Sequence, residues 1–345
     1  MKKHFKALAL TAAGLITAVS ITACGSNNSS NNTTAAAANN SVTTAGDIDK
    51  KEVTVRIGAP KAPPTLPILK MMEDNVMGDK VKIKLENWDT PESLIGMVQD
   101  GQHDMFAFPL TVVAKLHNKG VGVKLMNVNT WGVSFLATTD PGVKTWSDLK
   151  GKTLYVTLQS SPVDAYTQYF LSKAGLKPGE DVNIIYATQI EIAQLMSAGK
   201  AENATLIEPQ LTIAKTKNPN INIISSFADE WKKYNNDDSK LPTAGIGTTS
   251  KFAKENPEIV EKFNEEYKKA LEWVKSHPAE AGKLAEEKLG INAKAIEKAM
   301  PNMDMEFKTA ADADKDLKTM YKVLVDFQPQ MIGGKVPDSG MYFSK

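Results

Sequence analysis

Over most of its length, the sequence alternates short apolar runs of period two with longer runs of helical period. Val53–Ile57 and Val81–Leu85 alternate apolar and polar residues, which predicts two strands. Thr65–Met77 lies between them and has the apolar spacing of a helix. Thr90–Asp100 begins with a capping residue, a proline and an acid, and a glycine follows it, so a second helix is predicted there. This alternation predicts an α/β body with largely parallel sheets.

Two stretches of the sequence share one order of elements. Val81–Pro109 and Val182–Pro209 each contain a strand, a helix ending at glycine, and an apolar strand ending at proline. In each, an acid stands three residues after the glycine, at Asp104 and Glu202. Any two strand-helix-strand units look somewhat alike, which is one explanation. The other explanation is that the protein has two similar α/β lobes with the same order of strands and helices.

Two places are suited to a passage between such lobes. The extended run Val133–Thr138 leads to a turn signal at Asp140-Pro-Gly, and Thr243–Thr249 follows a polar loop. We therefore predict a first lobe made of residues 52–144 and 242–345, and a second lobe of residues 145–241. The apolar stripe over residues 259–274, and further helices at about 278–289, 293–300 and 311–326, are expected to pack on the first lobe.

The amino terminus has the pattern of an export signal. Three lysines precede the apolar run Ala7–Ile21, which is shorter than the roughly 20 residues of a membrane span. The run ends in Ile21-Thr22-Ala23-Cys24, which resembles the bacterial lipobox. An ordinary secretory signal with a chance cysteine is the alternative, but Cys24 is the only cysteine in the chain. We predict a signal peptide over residues 1–23 and lipidation of Cys24.

The single cysteine and the composition exclude several classes of protein. One thiol forms no internal disulfide and no cysteine-based metal site. Residues 24–51 are mostly Asn, Ser, Thr and Ala, which predicts a disordered tether with a reach of roughly 25–30 Å. A formal net charge of +1 without a basic patch argues against a nucleic-acid partner. The histidines lack metal spacing and a neighbouring nucleophile, so we expect no metal, no cofactor and no catalytic residue.

Several segments resemble the solute-binding lipoproteins of ABC importers for nitrate, sulfonates, taurine and thiamine pyrimidine precursors. Besides the lipobox, they are Gly58-Ala59-Pro60, Thr145–Lys152 (TWSDLKGK), Glu208-Pro209, Glu255–Glu258 (ENPE) and Trp273–Pro278 (WVKSHP). The resemblance covers nearly all of residues 52–330. It implies a periplasmic-binding-protein type II fold, in which two lobes joined by two crossovers enclose a ligand cleft. It also implies a monomer that delivers its solute to a membrane permease, held by the Cys24 lipid on the extracytoplasmic face of the cell membrane.

Candidate ligand-binding residues follow the predicted strands, because ligands of open α/β sheets lie beyond the carboxyl ends of the strands. They are Lys61, Thr65, Trp88, Asp89, Phe108, Pro109, Trp131, Gln159, Ser160, Ser161, Glu208 and Thr243. For Ser161, capping of the following helix is the simpler role, and ligand binding at that helix terminus is the other. Trp88 and Trp131 could stack on a ligand or pack in the core.

The expected activity is the capture of a small polar solute, and not catalysis. A surface lipoprotein that senses or binds a protein is the alternative. An enzyme similar to thiamine pyrimidine synthases is less favoured, because its cysteine-rich segment is missing from the body of this chain. Two ligand classes stay open: anions, and aromatic or amine-bearing solutes. The presence of only one arginine, Arg56, slightly favours the second class.

Overall fold

The structure is a computed structural model that describes residues 52–157, 159, 161–235 and 238–344. The predicted signal peptide and tether, with Cys24, lie outside these residues. The strands are β1 (Val53–Ala59), β2 (Val81–Asn87), β3 (Met105–Pro109), β4 (Val123–Trp131), β5 (Ser134–Thr138), β6 (Thr153–Thr157), β7 (Asn183–Ala187), β8 (Asn203–Ile207), β9 (Asn222–Ser226), β10 (Pro242–Thr249) and β11 (Asp304–Thr309). The helices are α1 (Leu66–Glu73), α2 (Pro91–Gln99), α3 (Leu110–Asn118), α4 (Pro162–Lys173), α5 (Gln189–Ser197), α6 (Gln210–Lys217), α7 (Phe227–Asn235), α8 (Ser250–Glu255), α9 (Pro257–Ser276), α10 (Pro278–Leu289), α11 (Ala293–Ala299) and α12 (Asp314–Phe327).

The described strands form two sheets that share one arrangement of three parallel strands. The six-stranded sheet has the order β11-β4-β10-β3-β1-β2, and the five-stranded sheet has the order β7-β6-β8-β5-β9. In the first, β1 lies between β2 and β3 and is parallel to both. In the second, β6 lies in the same way between β7 and β8. The repeated order of elements in the sequence therefore corresponds to two similar α/β units. We call the first sheet with its helices the first lobe, and the second sheet with α4–α7 the second lobe.

The chain passes between the sheets at two neighbouring points. It leaves the six-stranded sheet after Trp131, and strand β5 already belongs to the five-stranded sheet. It returns ahead of β10, which begins at Pro242. The sequence predicts that the extended run Val133–Thr138 leads out of the first lobe, whereas the strand β5 in this run pairs inside the second sheet with β8 and β9. The lobe limits at residues 144 and 241 stay predictions.

The first crossing is built around Gly132. Its φ of +51° lies in the left-handed region, and a Cβ there would lie 2.7 Å from the Cβ of Ala228. Its N–H donates to the Leu241 carbonyl oxygen at 2.9 Å and to the Thr243 hydroxyl at 3.1 Å. The two crossing segments are therefore bonded to each other, and only glycine fits at this position.

Helix α9 supplies much of the core on one face of the first sheet. It begins with Pro257 at a first-turn position, where a missing N–H costs nothing. Phe263 and Tyr267 of its apolar stripe are fully buried and pack with Ile57 of β1. Burying each large apolar side chain contributes about 1.5–3 kcal/mol. The predicted packing of this stripe on the first lobe is confirmed.

Helix α1 is shorter than the sequence pattern predicts. The pattern extends to Met77, but the helix ends at Glu73. Asn75 then adopts a φ of +49°, which a helix does not tolerate. Met77 is nevertheless buried. The apolar spacing continues past the helix end because the following turn packs on the same core.

Alanine substitutions at two glycines, one in β10 and one in α2, test how closely β10 packs on β4. A Cβ at Gly245 would lie 2.0 Å from the Asn127 carbonyl oxygen, whereas a Cβ at Gly96, on the exposed side of α2, meets nothing within 4 Å. Gly245→Ala should lower the free energy of unfolding by about 1–3 kcal/mol or more, because the clash is with backbone. Gly96→Ala should raise it by about 0.5–1 kcal/mol. Urea denaturation of the full chain measures both, and equal effects would contradict the packing described.

Candidate ligand-binding cleft

The strand directions bring one edge of each sheet to the same place. Strand β4 is antiparallel to β10, and β10 is antiparallel to β3, so β4 ends at the edge where β1, β2 and β3 end. Strand β5 is antiparallel to β8, so it begins at the edge where β6, β7 and β8 end. The short crossing from β4 to β5 therefore joins the two carboxyl edges. Ligands of α/β sheets bind at such edges.

On the first lobe, the loop after β1 is held by its own hydrogen bonds. Thr65 is fully buried, and its hydroxyl donates to the Pro60 carbonyl oxygen. The Asn87 side-chain amide donates to the Ala59 carbonyl oxygen at 3.1 Å. Lys61, in contrast, is exposed at the surface of this loop. Thr65 thus shapes the loop, and Lys61 is the cation that the loop presents.

Trp88, at the end of β2, has a buried side chain with an unpaired N–H group. Its backbone N–H donates to the Ala59 carbonyl oxygen at 3.2 Å, which fixes the residue beside β1. The side chain is only 8% exposed, yet its indole Nε1 is buried and has no hydrogen-bond partner. Asp89, next in the chain, is exposed. Buried indole N–H groups usually find a partner, so the unpaired donor makes Trp88 a candidate for contact with a molecule from outside the chain.

The end of β3 is apolar. Phe108 is fully buried and packs on the ring of Phe106, with the ring centroids 5.2 Å apart. Pro109 is the last residue of β3 and precedes α3 directly. Phe108 is therefore part of the core, and Pro109 lies half-buried at the carboxyl end of β3.

On the second lobe, Thr157 ends β6 with an unpaired hydroxyl. The residue is 2% exposed, and its Oγ1 is buried without a hydrogen-bond partner. The Ser161 hydroxyl accepts the Asp164 N–H at 3.2 Å and donates to the Thr157 carbonyl oxygen at 2.8 Å. Ser161 thus caps α4, as the simpler of its two predicted roles required. Gln159 is exposed, and Ser160 lies outside the described residues.

Thr157 was not among the residues singled out from the sequence. It occupies the last position of a strand whose other residues are mostly apolar, and it is about as buried as Leu154 and Val156. A polar residue at the carboxyl end of a buried strand is the signal that would have identified it. Sequence alone did not distinguish it from the other threonines, because the missing hydrogen bond is a property of the folded surroundings.

The other three candidates, Trp131, Thr243 and Glu208, lie at the crossings, where protein groups occupy their polar atoms. Trp131 is 1% exposed, its Nε1 donates to the Glu306 carbonyl oxygen at 2.8 Å, and the Lys308 ammonium lies 4.7 Å from its ring centroid. The Thr243 hydroxyl accepts the Gly132 N–H described above. These side chains therefore stabilise the segments that cross between the lobes.

Glu208 is buried at the carboxyl end of β8 with a full set of donors. Its carboxylate accepts the Thr212 N–H, the Thr212 hydroxyl and the Asn302 side-chain amide, each at 3.0 Å. Burial raises the pKa of Glu208, and these hydrogen bonds oppose the rise. Three protein groups thus stabilise the ionised carboxylate.

Two further findings concern metal binding and membrane crossing. Within the described residues, no group of three or more His, Cys, Asp or Glu side chains is arranged to hold a metal ion. None of the described helices combines the length and apolar character that crossing a bilayer requires.

A family model described as NMT1/THI5 like matches residues 77–281. The chain belongs to the NMT1/THI5-like family. A comparison with curated protein sequences finds no match.

Solved structures share the two-lobed fold. One is an ABC transporter protein from Parabacteroides distasonis, with a TM-score of 0.72, 23% identity, and coverage of 86% of this chain and 100% of that chain. The periplasmic aliphatic sulphonate binding protein SsuA from Escherichia coli has a TM-score of 0.70 at 14% identity, over 86% of this chain and 93% of its own. The periplasmic nitrate-binding protein NrtA from Synechocystis has a TM-score of 0.56 at 15% identity, over 76% and 75%. The expected periplasmic-binding-protein fold is confirmed.

The unpaired hydroxyl of Thr157 predicts an unusual response to substitution. Thr157→Val replaces a buried orphaned hydroxyl by a methyl group, so the free energy of unfolding should stay unchanged or rise by up to about 1 kcal/mol. Thr138→Val is the matched control, because the Thr138 hydroxyl donates to Asn203 at 2.7 Å and accepts the Asp140 N–H at 2.9 Å. The control should lose about 1–3 kcal/mol. Equal losses in urea denaturation would show that Thr157 has a structural partner.

Proposed function

We propose that this chain is the extracytoplasmic solute-binding lipoprotein of an ABC importer. The observation that carries the proposal is the pair of buried, unpaired polar atoms, Trp88 Nε1 and Thr157 Oγ1. One lies at each of the two carboxyl edges that the crossing joins. Native proteins pair nearly all buried polar groups, so an orphan on each side of a cleft is best explained by a solute that pairs with both.

The physical basis of binding follows from these two atoms. An unpaired buried donor costs about 1–3 kcal/mol, and a solute that accepts from it recovers this free energy. The solute therefore gains more at Trp88 and Thr157 than at exposed groups such as Lys61, where water already satisfies the hydrogen bonds. Rotation of the lobes about the paired crossing segments would let the solute enter and then enclose it.

The chemistry of the site favours a solute that presents hydrogen-bond acceptors. An indole N–H only donates, and a threonine hydroxyl donates readily. The Glu208 carboxylate already has three protein donors, so it is a poor partner for an amine. The Trp131 ring is covered by Lys308. Of the two ligand classes left open by the sequence, the geometry thus favours a solute with oxyanion, carbonyl or ring-nitrogen acceptors over an amine. SsuA and NrtA are named as binders of sulphonate and nitrate, which carry such oxygens.

The amino terminus supports the rest of the proposal. The lipobox-like Ile21-Thr22-Ala23-Cys24 would attach a lipid to the only cysteine, and the polar tether would let the body move above the membrane. A body held in this way would stay near a permease in the same membrane, which raises its effective concentration there.

Solute binding can be tested with a panel of small oxyanions, carboxylates and nitrogen heterocycles. We expect at least one of them to raise the melting temperature of the purified chain and to change its tryptophan fluorescence. Trp88→Phe should weaken the binding of that solute about 5- to 150-fold, because the N–H donor is lost while an aromatic ring, although a smaller one, remains. Trp273→Phe is the control, since Trp273 stacks on His277 with ring centroids 5.0 Å apart. No response to any solute in the panel would count against the proposal.

Lipid attachment can be tested separately in a bacterial host fed an alkyne-bearing fatty acid. The wild-type chain should incorporate the label and sediment with the membranes. Cys24→Ser should lose the label and be released, because no other thiol is present. Ser30→Ala, a change within the tether, should behave as the wild type. Retention of the label by Cys24→Ser would refute lipidation at this residue.

A further inference from the structure

A side-chain hydrogen bond joins the two lobes beside the crossing. Asn302 lies in the turn between α11 and β11 on the first lobe, and its side-chain amide donates to a carboxylate oxygen of Glu208 on the second lobe at 3.0 Å. Helix α6, which follows Glu208, packs on α11 next to this bond. The contact therefore forms part of a surface at which the two lobes touch.

The two partners of this hydrogen bond are linked to residues on opposite sides of Gly132 in the chain. The Glu208 N–H donates to the Val133 carbonyl oxygen at 3.3 Å, which ties it to the residue just after the glycine. Asp304, two residues after Asn302, pairs with Trp131, just before the glycine. A rotation at Gly132 would thus change the position of Glu208 relative to Asn302.

The two partners differ in exposure. Glu208 is 2% exposed, and two of its three donors come from Thr212, in the same lobe. Asn302 is exposed, so water can replace Glu208 as its partner at little cost. When the lobes rotate apart, the carboxylate keeps both Thr212 donors and loses only the amide. The bond is therefore suited to form and break without destabilising either lobe.

We propose that the structure is the closed orientation of the two lobes, since the polar atoms of Trp88 on one lobe and Thr157 on the other are both buried. Glu208 and Asn302 are then positioning residues that hold this orientation. By doing so they set the separation of Trp88 and Thr157, which lie on different lobes. This second step rests on the proposed function, because it assumes that one solute contacts both side chains. Loss of the bond would lower the population of the closed orientation, and with it the apparent affinity for the solute.

The orientation can be measured without any solute. Spin labels at Glu92→Cys on the first lobe and Gln194→Cys on the second, in the full chain carrying Cys24→Ser, report the distance between exposed sites of the two lobes. Asn302→Ala should shift the ratio of closed to open populations about fivefold toward open, as expected for one hydrogen bond. Asn302→Asp should shift it further, since two carboxylates repel. Asn222→Ala, at an exposed asparagine of β9, should leave the distances unchanged.

Rescue separates a positioning role from general loss of structure. In Glu208→Gln, the Asn302 amide can turn its oxygen toward the new amide, so the closed distance should be retained. In Glu208→Ala, it should be lost, and adding Asn302→Ala should change nothing more. An unchanged distance distribution in Asn302→Ala would overturn the proposal. That result requires no solute, so it is distinguishable from failure of the solute-binding proposal, which would appear only in the solute panel.

Discussion

The close approach of Gly132 to Ala228 is the constraint on which the arrangement of the lobes depends. The positive φ of Gly132 and the 2.7 Å between its hypothetical Cβ and that of Ala228 exclude every other residue. The same residue bonds to Leu241 and Thr243 of the return segment. The two segments that cross between the sheets are thus hydrogen-bonded to each other and form one joint between the lobes. Because the joint connects the carboxyl end of β4 to the start of β5, the carboxyl edges of both sheets are brought together around it.

The polar side chains near this joint fall into two groups. Glu208, Thr243 and Trp131 have all or most of their hydrogen-bonding groups satisfied by the protein, and they stabilise the joint. Trp88 and Thr157 each hold a buried polar atom without a partner, at some cost to stability. Such a cost is typical of binding sites, where local rules are broken for function. The polar atoms that stabilise the crossings are thus paired within the protein, whereas those of the proposed binding site are not.

Much of the fold could be predicted from sequence because local patterns report local structure. The stripe of α9 and the limits of α10 follow directly from apolar spacing and proline positions. The structure differs from the sequence pattern where packing between residues far apart in the chain decides. The apolar spacing after Glu73 continues through a turn because that turn covers the same core. Strand β5 carries no mark of which sheet it joins, since its partners β8 and β9 lie far along the chain.

The sequence by itself determined the order of strands and helices, the likeness of the two lobes, the single cysteine, and the edges at which a site is predicted. It did not determine which polar side chains at those edges are available. Trp88 and Trp131 both stand at the ends of strands, yet the Glu306 carbonyl reaches only Trp131. That difference arises because β11, far along the chain, pairs with β4, so only the tertiary structure decides which of the two indoles has a hydrogen-bond partner within the protein.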